Sequence, residues 1–572
     1  MRFPSPESVS RGVAAPFAVH TDLFMHSPSD WWRSAVIYQI YPRSFADSNG
    51  DGIGDLPGIL QKLDYVADLG VDAVWISPFF KSPMDDFGYD ISDYRAVDPI
   101  FGTLEDFKDI LAAAHDRSLK VLIDQVWNHT SDQHPWFLES RESRENPRAD
   151  WYLWADPKPD GTPPNNWLST FGGSAWAWEP RRQQYYLHNF LTSQPDLNWY
   201  NPAVVEAILD TARFWLELGV DGFRLDVVNF FTCDRTLADN PMRPPDMPRP
   251  AGATATDPFF SQINQHNLDQ PETLALLKPI RQLMDRYGAT TLAEISSTED
   301  ALLTSSEYVK GTDRLHTAYN SSLMTDEPFT VQRMQALIRQ VETLFDEGVI
   351  CWTAGTHDFP RLKNRWSKYQ PSSEFLQAAF DHMFAALIMS LRGSCCIYQG
   401  DELGLTQADI PHEKMKDPFG IQGYPQVLGR DGSRTPMPWA KEALEAGFTT
   451  SNDPWLPIPD QHRDSAVDVQ EANPDSLLHK YQRLIHWRKQ QPALTGGDLQ
   501  LLTLTEERLL GFVRTCDQQQ LLCLFNLSPE TVYQDRSPLP PCEPTGEGVF
   551  SDRSYGDTLE IPPFGVFFGN IL

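Results

Sequence analysis

Eight short runs of apolar, β-branched and aromatic residues, separated by longer amphipathic stretches, pace the chain from Trp31 to about Leu405 and constrain its fold more than any other feature. They are AVIYQIYP from Ala35, VDAVWISP from Val71, LKVLIDQVW from Leu119, GFRLDVV from Gly222, TTLAEIS from Thr290, LHTAYNS from Leu315, VICWTAGTHD from Val349 and GSCCIYQGDEL from Gly393. Runs of this kind read as strands buried on both faces, which belong to parallel sheets with crossover helices. Eight of them suit a closed (β/α)8 TIM barrel better than an open doubly wound sheet. Between the first two, LPGILQKLDYVADLG spaces Ile59, Leu63, Val66 and Leu69 along one helical face.

Two interruptions break the alternation. Thr130 to about Trp199, after the third run, is rich in Pro, Trp and Asn and too long for an ordinary strand-to-helix loop. It reads as a subdomain inserted on the rim. Thr406 to about Trp455, after the eighth run, is a second irregular excursion. Both follow strand C-terminal ends, the barrel face that carries active sites. Past a last amphipathic helix, SLLHKYQRLIHWRKQ, alternating runs such as LLGFVRT, QQLLCLFNLS and PPFGVFF indicate a separate antiparallel β-domain. The expected organisation is a flexible tail over 1–28, barrel segments over 29–129 and 200–490, a rim subdomain over 130–199, a long loop over 406–455 and a C-terminal β-domain over 491–572.

Composition narrows the partners. Across 572 residues, 47 Lys and Arg against 78 Asp and Glu leave a formal charge of −31, which repels phosphate backbones and acidic membrane surfaces. Neither nucleic acid nor membrane is an expected partner. The aromatic content of 12%, with 17 Trp, supplies a large core and excludes global disorder. Seven Cys, an odd number without CxxC spacing, argue against a disulfide framework and for a reducing, cytoplasmic compartment. The apolar patch VAAPFAV near the start lacks a charged leader and a cleavage site, so secretion is the minority reading; Met25 is a second candidate start.

Polar groups stand in otherwise apolar strand ends: Asp124 in VLIDQVWNH, Arg224 and Asp226 in GFRLDVV, Glu294 in LAEIS, and His357 with Asp358 in GTHDF. A single buried carboxylate is as readily structural as functional, since buried charges are normally paired. Carboxylates converging from several strand ends, with His129, His357 and Arg224 nearby, favour catalysis.

In this order and on these strands, GFRLD, the DxxxNH of Asp124 to His129, the glutamate of LAEIS and the His357-Asp358 pair resemble the motifs of glycoside hydrolase family 13, the α-amylase superfamily. YQIYPRSFADSNGDGIGDLPGI, DDFGYDISDY, QPDLN at Gln194 to Asn198 and GRDGSRTPMPW are similar to its α-glucosidase and oligo-1,6-glucosidase branch. IDQVWNHTSDQHPWF looks most like proteobacterial α-glucosidases that also transfer glucose to alcohols. The resemblance implies Asp226 as nucleophile, Glu294 as general acid/base and Asp358 as transition-state stabiliser. Retaining hydrolysis asks for such a pair, one carboxyl attacking the anomeric carbon and the other protonating the leaving oxygen, then activating water. Asp226 is expected to be kept ionised by Arg224, and Glu294 to be kept protonated by burial and its acidic neighbours.

The same resemblance implies that Asp86 and Arg434 grip the far hydroxyls of a terminal glucose, that Tyr89 is a stacking platform, and that His129 and His357 donate to sugar hydroxyls. A pocket closed in this way implies an exo-acting enzyme on maltose-, isomaltose- or sucrose-like substrates, with sugar or alcohol acceptors, working as a monomer or homodimer. Independently, the loop from Asp47 to Asp55 places oxygen ligands at alternate positions with a glycine at the sixth, as at the start of a calcium loop, although Gly58 stands where an EF-hand has Glu. In the resembling branch Asp47, Asn49, Asp51, the Ile53 carbonyl and Asp55 hold a structural Ca²⁺ or Mg²⁺; no organic cofactor is implied. Thr356 and Phe359 depart from the branch pattern on the aglycone side, and Val227 resembles the choice of α-1,6-acting members. The rivals are a sucrose isomerase or dedicated glucosyltransferase, against which GTDRLH at Gly311 is a poor match to the isomerase loop, and a non-catalytic binding relative, against which the intact carboxylates count.

Overall fold

The computed structural model describes residues 28–250, 253, 257–366, 373–546, 553–555 and 557–572. The tail expected over 1–28 and the candidate start at Met25 fall, Pro28 apart, outside them.

The eight runs form one parallel sheet: β1 (Val36–Ile40), β2 (Ala73–Ile76), β3 (Lys120–Gln125), β4 (Gly222–Leu225), β5 (Thr290–Ile295), β6 (Thr317–Asn320), β7 (Cys351–Thr353) and β8 (Ser394–Tyr398). Neighbours in space are neighbours in sequence, with β8 beside β1 and a parallel bridge from Ala318 to Ile350 joining β6 to β7. The sheet therefore closes into a TIM barrel. Nearly every strand residue is buried, because one face packs on the helices and the other fills the interior with Trp75, Leu122, Leu292, Tyr319 and Cys396. Ile59, Leu63, Val66 and Leu69 are buried as one face, but the helix that carries them is broken at Lys62 into Leu56–Gln61 and Leu63–Asp68. The helix after the rim subdomain, Pro202–Leu218, starts on the Asn201 side chain and stops at Gly219, whose φ of 104° most side chains resist.

The rim subdomain holds the helix Pro135–Glu142 and a small antiparallel sheet of Trp154–Ala155, Gln184–Leu187 and Trp176–Glu179. A third excursion, which the strand and helix pattern does not announce, follows β4 and runs from a turn at Val228–Phe230 to the next α-helix of the described residues, Pro271–Tyr287. Among its described residues no α-helix intervenes, and it brings Asp257 over the barrel mouth. Beyond the helix Leu477–Lys489 come β9 (Asp498–Leu501), β10 (Leu509–Cys516), β11 (Gln519–Asn526), β12 (Cys542–Pro544) and β13 (Val566–Ile571), in the antiparallel order β9-β10-β11-β13-β12. Buried Arg514 ties this C-terminal sheet to the barrel by donating to the Ser390 carbonyl, and to its own domain through Gly497, while buried Arg488 fixes the preceding helix to the barrel through the carbonyls of Met389 and Ser34.

Candidate active site

The carboxyl groups meet because parallel register aligns their strands. Asp124 on β3 is level with Arg224 on β4, which is level with Leu292 on β5, two residues short of Glu294. Arg224 is the hub. Its Nη1 donates to Asp124 Oδ1 at 2.8 Å and to Asp226 Oδ1 at 2.6 Å, its Nη2 donates to Glu294 Oε2, and Nη2 reaches Tyr319 Oη at 2.7 Å. Trp75 Nε1 at 3.1 Å and Tyr89 Oη at 3.0 Å donate to the other oxygen of Asp124. Asp124 is thus saturated and fully enclosed, a structural counter-charge, whereas Asp226 and Glu294 border the cavity. Val227, between them, adopts a φ of 36°, a strained conformation for a β-branched residue that aims its N–H at Glu294 Oε2, 3.3 Å away.

One guanidinium divided among three carboxyl groups cannot keep all of them ionised. Burial pushes Asp226 up to about 7 against the pull of Arg224, and Asp124 raises it further. Burial pushes Glu294 up to about 8, again against Arg224, with Asp226 and Asp358 adding to the rise. Asp226 is therefore less fully ionised than its arginine alone suggests; both carboxyls are raised, Glu294 the further, and the pair titrates as a unit. Asp358 goes the other way. Burial opposes its ionisation, but His357, Arg430 and Arg434 outweigh burial and hold it below the ordinary carboxylate range. The guanidiniums are the permanent part of that field, with Arg434 Nη2 at 3.0 Å and Arg430 Nη1 at 3.1 Å.

His357 lies between two parallel rings, Tyr89 at 5.3 Å and Tyr41 at 5.4 Å between centroids. Gln39 Nε2 lies 2.8 Å from its Nδ1, which leaves Nε2 to carry the hydrogen; Asp358 Oδ2 is 3.2 Å away, outside hydrogen-bonding geometry. Burial drives the imidazole pKa well down, so it is neutral. His129 is neutral for the same reason, pushed down to about 3, with Nε2 3.1 Å from the Tyr89 carbonyl.

A cavity of about 200 Å³ opens above this cluster. Asp86, Tyr89, His129, Asp226, Glu294 and Asp358 line it; Arg224, His357 and Arg434 stand behind the wall. One pairing differs from the sequence expectation. The arginine on Asp86 is Arg430, Nη2 to Oδ1 at 2.8 Å, and Arg434 instead donates to the His357 carbonyl and to Asp358. GRDGSRTPMPW offers two arginines four residues apart in an irregular loop, and only the fold separates them. Gln194, from the QPDLN segment of the rim subdomain, donates to the second oxygen of Asp86 at 3.1 Å and lies 3.2 Å from His129. The sequence reading also missed Phe171, Phe190 and Phe419 on the wall, which sit in loops without periodicity.

In the Asp47 loop, Asp47 Oδ1 accepts from the backbone of Asn49 and Gly50, Asn49 Oδ1 from Asp51, and Asp51 Oδ1 from Ile53, so the alternate oxygens curl inward along a tight turn. Asp55 accepts from Ser48 and Gly58 and starts the helix Leu56–Gln61. Among the described residues no three His, Cys, Asp or Glu side chains converge as a metal cluster. The donor set is nevertheless all oxygen, including an amide and a carbonyl, as a hard cation requires.

A closed barrel that gathers acidic groups at its strand ends above a small blind cavity defines a glycoside hydrolase. The family model for the alpha-amylase catalytic domain matches residues 39–497, and the chain belongs to that family, glycoside hydrolase family 13. It is 48% identical over 552 residues to a probable alpha-glucosidase of Rhizobium meliloti, covering 96% of this chain and 99% of that one. It is 38% identical to an oligo-1,6-glucosidase of Heyndrickxia coagulans, covering 89% and 94%. Among solved structures, the alpha-glucosyl transfer enzyme XgtA superposes with a TM-score of 0.90 at 50% identity, covering 95% of this chain and all of that one, 100%.

Proposed function

We propose that this protein is a retaining, exo-acting α-glucosidase that releases terminal non-reducing glucose from short α-glucosides and transfers part of it to sugar or alcohol acceptors. The observation that carries this reading is Arg224 holding Asp226 and Glu294 together at a pocket whose far end is stopped by Asp86 and Arg430. Asp226 attacks the anomeric carbon while Glu294 gives its proton to the departing oxygen, leaving a glucosyl ester on Asp226. Glu294, now ionised, takes a proton from water or an alcohol, whose oxygen displaces Asp226. Asp358, kept ionised by its arginines, binds sugar hydroxyls more tightly as the ring flattens. Arg430 and Asp86 meet the hydroxyls farthest from the bond cut, so a chain extending beyond them finds no room. Purified protein with Asp226→Ala loses nearly all turnover of an aryl α-glucoside; substantial surviving turnover sinks the assignment. A time-resolved panel of maltose, isomaltose, sucrose and maltotriose reads linkage preference and transfer.

The isomerase reading is disfavoured by position. Gly311 to His316 precedes β6, at the opposite end of the barrel from the cavity. A structural Ca²⁺ or Mg²⁺ held by Asp47, Asn49, Asp51, the Ile53 carbonyl and Asp55 accompanies the enzyme reading; bound, it would neutralise the loop's charge away from the chemistry. All seven cysteines are free, which supports a reducing, cytoplasmic setting, and the reading covers a monomer or a homodimer.

A further inference from the structure

Asp417 lies outside the cavity wall and has no side-chain exposure, yet it is the carboxylate on which Arg430, at the pocket's closed end, leans most. Arg430 folds onto it three ways, through its backbone N–H at 2.6 Å, Nε at 3.1 Å and Nη2 at 2.8 Å. The same carboxylate accepts from the Phe419 N–H at 3.3 Å and starts the short helix Pro418–Gly423. Asp431 secures it in turn, accepting from the Asp417 N–H at 3.0 Å. Gly420 and Gly429 pack so closely that a Cβ on Gly429 would stand 2.6 Å from the Gly420 Cα and 2.7 Å from Asp417 Oδ2. The loop from Asp417 to Arg430 is thus cinched at its base, with Ile421, Tyr424 and Leu428 exposed along it.

Both groups that Asp417 holds face the cavity. Arg430 lies over the Phe171 ring at 5.2 Å while contacting Asp86 and Asp358, and Phe419 meets the edge of the same Phe171 at 5.7 Å. An arginine on a loop has several rotatable bonds, and contacts to Asp86 and Asp358 alone leave its approach angle open; a bidentate carboxylate on the far side removes that freedom. It also absorbs part of the charge that would otherwise lie on Asp358, the group the sugar needs.

We propose that Asp417 is a positioning residue that holds Arg430 against Asp86, and thereby sets how strongly the closed end of the pocket selects a terminal glucose by its far hydroxyl. This rests on the α-glucosidase reading above. The test compares kcat/KM for an aryl α-glucoside and its 4-deoxy analogue in wild type, D417N, D417A, R430A and D417A/R430A, with folding checked by thermal melting and gel filtration. The wild type prefers the intact sugar. D417A shrinks that preference about tenfold, the loss of one charge-assisted contact, and D417N, which keeps an acceptor for the Phe419 N–H, shrinks it less. The double variant is no worse than R430A, because the two residues act as one unit. Equal losses on both substrates, or a double loss that is the product of the single ones, overturn the positioning role. Should D417A not fold, the D417N ratio decides alone: unchanged, it overturns the proposal. A folded wild type that cleaves neither glucoside removes the enzyme reading itself, an outcome distinct from these.

Discussion

Arg224 holds Asp226 and Glu294 on the same guanidinium, Nη1 on the former at 2.6 Å and Nη2 on the latter. Two acids tied to one cation titrate as a pair, and their proton is shared before substrate arrives.

The pH profile follows from that pair. Turnover needs Asp226 ionised, so activity rises as pH climbs through its value near 7, and it needs Glu294 protonated, so activity falls as pH passes its value near 8. The expected kcat/KM curve is a narrow bell with its crest slightly above neutrality. An optimum below pH 5 would contradict this electrostatic order.

Glu294→Gln removes the proton donor and leaves the nucleophile in place. Hydrolysis of maltose-like substrates should drop about 10²–10⁴-fold in kcat. An aryl glucoside with an acidic phenol leaves without help, so its first step should suffer far less. Burst kinetics on both substrates measure the difference, and equal losses would deny Glu294 the acid role.

Occupancy of the Asp47 loop should read out as stability. Excess Ca²⁺ or Mg²⁺ should raise Tm over the chelated protein, by an amount that grows with the logarithm of cation concentration, while kcat stays within about twofold because the loop precedes the chemistry by several strands. Asp47→Ala should abolish the cation response. A Tm indifferent to chelator and cation alike would dismiss the metal.

Glu402, fully buried behind β8, accepts from Tyr38 at 2.7 Å, Tyr65 at 2.6 Å and the Gly400 N–H at 2.8 Å. A glutamine there turns one acceptor into a donor facing a donor. Glu402→Gln should therefore destabilise by about 1–3 kcal/mol, visible in denaturant unfolding, with kcat unchanged because the cavity is elsewhere. Unaltered stability would mean the buried cluster rearranges freely.

The barrel was legible because a strand enclosed on both faces can tolerate a polar residue only where the sheet ends. Asp124, Asp226 and Glu294 therefore mark β3, β4 and β5 in the bare sequence as clearly as the apolar runs do. The loops obey no such rule. Arg430 and Arg434 share one motif and one chemistry, and their different partners are settled by a turn at Asp431–Ser433 that no periodicity encodes. The excursion after β4 begins with Val228-Asn229-Phe230-Phe231, buried residues that imitate the start of a crossover helix. At Lys62 the opposite happens: the apolar face continues unbroken while the backbone does not, since side-chain spacing constrains burial and leaves a local break invisible.

The stop at the end of the pocket has three independent authors. Asp86 comes from the segment after β2, Gln194 from the rim subdomain and Arg430 from the excursion after β8, whereas the cutting groups ride on the strands and their immediate ends. Gauge and blade are thus written in separate stretches of chain. Lengthening or emptying one loop could turn a tool that trims single units into one that accepts longer or differently branched chains, with the blade untouched, and a lineage could drift between diets without passing through an inert ancestor.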